Sequence, residues 1–152
     1  MSAFSVKRIF ARDFQRYEGV RPIQIYLMRL GFLLVIVLVG NIAWSNIFTH
    51  EGDWDPLAAV ALSMWAGCSV LSVLGLINPL RWIPLVLFEI AYKSIWLVVV
   101  AYPMWSAGTL AGSRAEGIAL SFLPVILPIL AMPWGYVFRT HVWPNRSWRR
   151  RA

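Results

Sequence analysis

The sequence is poor in the residues that metal and cofactor sites need. Among its 152 residues, cysteine occurs once, at Cys68, and histidine twice, at His50 and His141. A single cysteine forms no internal disulfide, and one thiol with two separated imidazoles falls short of the ligand sets of structural zinc, bis-histidine haem and iron–sulfur centres. We therefore expect no metal centre and no cofactor.

The common catalytic signatures are also missing. The chain has no glycine-rich phosphate loop, no His-Glu-x-x-His zinc motif and no nucleophile elbow. Glu89 is the only acidic residue within a long apolar stretch, so the sequence offers no inner pair of carboxylates for acid–base chemistry. No catalytic residue is predicted, and these absences favour a protein that is not an enzyme.

Charge is scarce, and apolar residues dominate. Charged residues make up 14% of the chain and apolar residues 59%, with a mean hydropathy of +0.64. A soluble domain of this length cannot bury so much apolar surface, and disordered or collagen-like chains have other compositions. The apolar residues fall in runs of about 20, the length at which a helix crosses a bilayer. We therefore predict an all-α, multi-pass membrane protein.

The apolar runs divide the chain into three parts. We expect a basic amphipathic arm at residues 1–22, an up-down bundle at 23–138 and a basic tail at 139–152, with no second domain. The bundle contains four predicted transmembrane helices, at residues 23–44, 56–77, 82–102 and 117–138.

The arm allows two interpretations. Its apolar residues recur at helical spacing, which is typical of a basic helix lying in the membrane interface. The alternative is a loosely ordered basic arm that only fixes the topology. The apolar residues concerned are Val6, Phe10, Phe14 and Tyr17.

The basic residues predict the orientation, because short loops rich in Lys and Arg stay on the cytoplasmic side during insertion. Only Arg114 falls on the opposite side, where the first connection is acidic. Both termini should be cytoplasmic, and we expect the cell inner membrane of a bacterium. The cytoplasmic set is Lys7, Arg8, Arg12, Arg16, Arg21, Arg81, Arg139, Arg146, Arg149, Arg150 and Arg151.

This distribution also suggests partners. The net charge of +7 would point to nucleic acid in a soluble protein, but here the basic residues adjoin apolar spans. Anionic lipid head groups at the cytoplasmic face are the expected counterpart, and no nucleic acid is expected. A homo-oligomer or a larger membrane complex is plausible, because four thin helices enclose little space.

Three charged residues lie inside the spans: Arg29, Glu89 and Lys93. A charge in hydrocarbon usually faces a partner or water. Counting the rise of each helix from the inner boundary places Arg29 and Glu89 at about 9 and 10 Å, so an ion pair between the first and third helices is available. Lys93 follows Glu89 by four residues on the same helical face and can share its carboxylate.

Neighbouring helices offer further polar groups near this cluster. In the second helix, Ala59, Ser63 and Gly67 form a small-xxx-small ridge, and Ser69 lies at the depth of Glu89, where its hydroxyl either joins the cluster or bonds its own helix. In the fourth helix, Pro128 frees the carbonyl of Pro124, which is an acceptor for Lys93 unless the prolines only shape the bundle.

Three functions are compatible with the sequence. The favoured one is a structural, assembly or lipid-interacting membrane component with an intramembrane cluster of Arg29, Glu89, Lys93 and Ser69. Its three charges either lock the first helix to the third or leave one positive charge that accepts an anion or a lipid phosphate. The first alternative is a small proton- or ion-coupled transporter or channel that uses Glu89. The second is a membrane enzyme acting on a lipid or a quinone.

Overall fold

The computed structural model describes residues 11, 13–15 and 17–143. Within them the fold is helical, apart from one isolated antiparallel bridge between Asp13 and Val20. Four helices are long and apolar enough to cross a membrane, which confirms the predicted all-α class and the number of predicted spans. They are α1 (Pro22–Phe48), α2 (Pro56–Ile77), α3 (Ile83–Ser106) and α4 (Arg114–Ala131), and a short α5 (Trp134–Val137) continues as a π-helical turn over Phe138–Val142.

Prolines and one aspartate mark the helix starts. Pro22, Pro56 and Pro84 occupy the first turns of α1, α2 and α3, where a proline loses no helical hydrogen bond. Asp55 caps α2, since its carboxylate accepts from the backbone N–H groups of Leu57 and Ala58 at 3.3 and 3.2 Å. The predicted second span therefore agrees with α2 at both ends.

Helices α1 and α2 run in opposite directions and pack through small residues. The ring of Phe32 lies against Gly75, and the side chain of Ser69 lies against Gly40. Ala43 is fully buried at the same contact. Because Gly40 and Gly75 have no side chains, the two backbones approach closely, which is how helices gain van der Waals contact in a membrane.

The predicted small-residue ridge on α2 was wrong. Ser63 and Gly67 are exposed, and a methyl group added at Gly67 would meet no atom within 4 Å. The buried small residues of α2 lie on another face, at Ala66, Cys68, Ser69, Ser72 and Gly75. Small residues cover more than one face of this helix, so spacing alone did not identify the face that meets α1.

The fourth helix is shorter than predicted because of its prolines. A 3-10 turn replaces the α-helix at Leu123–Val125, around Pro124, and α4 ends at Ala131 instead of 138. Met132 is extended, with ψ 130°, since the residue before a proline avoids the helical conformation. Pro133 thus separates α4 from α5.

One end of the molecule collects the start of α1, the start of α3 and the junction of α4 with α5. Met28, Ile83, Met132 and Val137 form a buried cluster there. We call this the basic end, because Arg21, Arg81 and Arg139 lie in the flanking segments of the same elements.

The arm before α1 is a turn where the structure describes it. Glu18 and Gly19 both have positive φ (53° and 84°), and the N–H of Val20 donates to the Tyr17 carbonyl at 2.9 Å, as in a type I′ turn. The predicted helix does not extend through Phe14 and Tyr17. Val6 and Phe10, and residues 144–152 of the tail, lie outside the described residues.

The packing of α1 on α2 predicts that alanine substitutions at Gly75 and Gly67 of α2 affect stability differently. Gly75→Ala should destabilise the protein by about 2 kcal/mol, because the new methyl group overlaps the Phe32 ring, which is 2% exposed and has no free space to enter. Gly67→Ala is the matched control and should leave the midpoint unchanged or raise it. The measurement is thermal or SDS-induced unfolding in mild detergent.

Adding Phe32→Leu to Gly75→Ala should restore part of the loss, since the smaller side chain yields the space. Equal effects of the two glycine substitutions would contradict the close contact of α1 and α2 at Gly75.

Candidate functional site

The charges of α3 neutralise each other within that helix. The Lys93 ammonium lies 3.1 Å from the Glu89 carboxylate, one helical turn away, and both side chains are largely buried. Lys93 also lies 5.7 Å from the centre of the Tyr92 ring. An ion pair with hydrogen-bond geometry lowers the cost of holding both charges in an apolar environment.

Aromatic and sulfur-containing side chains surround this pair. The Phe122 ring of α4 meets Tyr92 and Trp96 edge to face, at centroid distances of 5.7 and 5.3 Å. On the side of α2, the buried thiol of Cys68 lies within electrostatic reach of Glu89 and Lys93. The pair is therefore enclosed by the side chains of three helices.

Arg29 does not join the pair. The ion pair of Glu89 within the described residues is with Lys93, and the Nε of Arg29 is buried without a hydrogen-bond partner there. Arg29 adjoins Met28, which clusters with Ile83 at the start of α3, so it lies closer to the basic end than Glu89 does. The expected lock between α1 and α3 is thus absent from the described contacts.

Ser69 also lies apart from the predicted cluster. Its hydroxyl donates to the Ala66 carbonyl at 2.7 Å and accepts from the indole N–H of Trp44 at 3.1 Å. Ser69 faces α1, and successive residues of a helix point about 100° apart, so the side chain of Cys68 points in a different direction. The hydroxyl fixes the contact of α1 with α2 and does not touch Glu89.

A carbonyl freed by a proline accepts a side-chain hydrogen bond at Pro133, and not at Pro128 as expected. Lys93 donates to Glu89, and no hydrogen bond joins it to Pro124 in the described part of the chain. Pro133 leaves the carbonyl of Ile129 without its helical donor, and the indole N–H of Trp134 occupies it at 2.8 Å. This bond stabilises the break between α4 and α5.

A cavity of about 440 Å³ opens beside that break, at the basic end. Its walls come from the turn before α1, the first residues of α1 and the start of α5, and two arginines line it, Arg21 and Arg139. Ligand sites in proteins have volumes of this order. From the sequence, both arginines were assigned to topology and to contact with anionic head groups in general, and the break at Pro133 was the signal that could have located the cavity.

Hydrogen bonds hold the cavity walls in place. The Gln24 side chain donates to the Ala131 carbonyl at 3.3 Å and thereby joins α1 to the end of α4. Arg139 donates through Nε to the Gly135 carbonyl at 2.9 Å, which orients its guanidinium. Among the described residues, no hydrogen bond occupies the terminal N–H groups of Arg139, so they can donate to a further acceptor.

Tyr136 lines the cavity, and Glu18 lies beside it. Burial, together with the charge and hydrogen bonding of the neighbouring Glu18 carboxylate, raises the pKa of Tyr136 to about 12. Tyr136 therefore remains a neutral phenol at physiological pH. The Glu18 carboxylate is held beside this phenol, and Glu18 is not among the residues that line the cavity.

A double-mutant cycle tests the pair in α3. Lys93→Met should cost about 3 kcal/mol, since it leaves the Glu89 carboxylate buried without its partner. Glu89→Gln with Lys93→Met should cost less than either single change, because no charge then remains unpaired. Lys93→Arg keeps the charge and is the control. The free energy of unfolding in mixed micelles is the measurement, and strictly additive effects would contradict the coupling.

No family model, no curated protein and no solved structure matches the chain. The chemistry of the cavity and of the ion pair is therefore the basis on which a function can be inferred.

Proposed function

We propose that this chain is a non-enzymatic component of the bacterial cell inner membrane that interacts with acidic lipids at its basic end. In this proposal both termini and the basic end lie in the cytoplasm, where the inner leaflet supplies anionic head groups. The excess of Lys and Arg in the segments that flank the helices supports this orientation.

The observation that carries the proposal is that charged residues line a cavity at the basic end. The cavity of about 440 Å³ is lined by Arg21 and Arg139, and neither Glu89 nor Lys93 is among its lining residues. A carrier needs its titratable carboxylate to reach substrate, whereas here the carboxylate is 9% exposed and bonded to a lysine of its own helix. The positive charge that faces open space is at the basic end.

Stabilisation by acidic lipid tests the proposal. The unfolding midpoint of the full chain should rise by about 5 °C when phosphatidylglycerol replaces phosphatidylcholine in nanodiscs, because a ligand that binds only the folded state stabilises it. The rise should shrink at high salt, since ions screen the attraction between exposed charges. An equal midpoint in both lipids at low salt would refute the proposal.

Transport through Glu89 is the alternative, and the observation in its favour is a buried carboxylate inside a membrane-spanning helix. Under our proposal, liposomes containing wild type, Glu89→Gln or Glu116→Gln should dissipate a pH gradient at the same rate, measured with a pH-sensitive dye. Glu116 is the matched control, since its carboxylate lies at the start of α4 and accepts from the Gly112 N–H.

Faster dissipation by wild type and Glu116→Gln than by Glu89→Gln would replace the lipid proposal with the transport alternative. Circular dichroism of each variant distinguishes a loss of transport from a loss of folding.

A further inference from the structure

We infer that the cavity between the turn before α1 and helix α5 is a binding site for the phosphate of an acidic phospholipid head group, held by Arg21 and Arg139. This inference rests on the proposed function and adds the place and the chemical class of the ligand. Two guanidinium groups beside one cavity are the usual protein ligands of a phosphate, because each presents several N–H donors in a plane.

The cavity lies where a head group would be. It adjoins the first residue of α1, Pro22, and the last residue of α4, Ala131, so it sits at the boundary of two spans. Trp134 and Tyr136 line it, and these residue types prefer the head-group level of a bilayer. A lipid can reach this level from the membrane with its acyl chains still in hydrocarbon.

The charges at the cavity favour an anion. Arg21 is exposed, and Arg139 is oriented by its bond to Gly135, whereas Glu18 is bonded at the wall to the Tyr136 phenol. The described walls therefore carry a net positive charge. A volume of about 440 Å³ accommodates a group larger than a bare phosphate, which favours a phosphoglycerol head group over the inorganic ion.

The walls are also fixed before any ligand binds. Trp134 bonds the Ile129 carbonyl and Gln24 bonds the Ala131 carbonyl, so the break at Pro133 keeps one geometry. A site whose shape is held by bonds unrelated to the ligand loses little conformational entropy on binding.

Native mass spectrometry of the full chain released from nanodiscs tests the site, with phosphatidylglycerol as the probe and phosphatidylcholine as the neutral comparison. Wild type should retain phosphatidylglycerol. Arg21→Gln with Arg139→Gln should reduce the retained fraction about tenfold or more, because two charge-assisted contacts are lost. Arg81→Gln with Arg114→Gln is the matched control, since it removes the same charge from exposed positions outside the cavity and should retain the lipid.

The outcomes separate the site from the proposed function. If wild type retains phosphatidylglycerol and both double variants retain it equally, the site is wrong while the lipid proposal stands. If wild type retains none, both fail. If inorganic phosphate displaces the lipid at equal concentration, the cavity selects a soluble anion and the assignment to a phospholipid is overturned. Circular dichroism confirms that the variants are folded.

Discussion

The bundle depends on how one helix carries two charges into an apolar environment. Glu89 and Lys93 are one turn apart on α3 and bond each other at 3.1 Å, so α3 is neutral over this stretch without help from another helix. A pair within one helix stabilises the charged groups but joins no two helices. Contacts between helices come instead from packing, as in the close approach of α1 to α2 at Gly40 and Gly75, and from hydrogen bonds such as that of Trp44 with Ser69.

The prolines of α4 explain where the chain breaks beside the cavity of the basic end. At Pro124 the helix continues after a short 3-10 turn. At Pro133 it ends, because Met132, the residue before this proline, has an extended conformation. The freed Ile129 carbonyl accepts from the Trp134 indole, and the chain restarts as α5, whose first residues line the cavity together with Arg139. The bond that satisfies the freed carbonyl and the residues that line the cavity thus belong to the same break in the chain.

The sequence predicted the helices better than the contacts. Apolar runs of membrane length gave four spans, and α2 agrees with its prediction, since composition and length alone decide whether a helix can cross a bilayer. The charged cluster was predicted by counting the rise of each helix from a common plane. That count contains neither tilt nor rotation, so it placed Arg29 beside Glu89 and Ser69 in the same network.

Pairing within a helix was predictable, because four residues of spacing bring Glu89 and Lys93 to one face whatever the neighbours do. Ser69 shows the opposite case. Whether its hydroxyl faces α1 or α3 depends on the rotation of α2, and rotation is set by the burial of Gly75 and Cys68 together. The place of Arg139 in the cavity wall depends on how the turn before α1, α1 and α5 come together, and the spacing of residues along the sequence does not show this.

The spans contain one positive charge that no acidic residue of the spans balances, and it is that of Arg29. Since Glu89 is taken by Lys93, the remaining positive charge belongs to Arg29, whose Nε has no partner among the described residues. Side chains in a helix lean toward its N-terminus, and the N-terminus of α1 is at the basic end. A long arginine side chain can carry its charged head toward that boundary. The surplus positive charge of the spans is therefore carried by Arg29, nearer the basic end, and not by the neutral pair on α3.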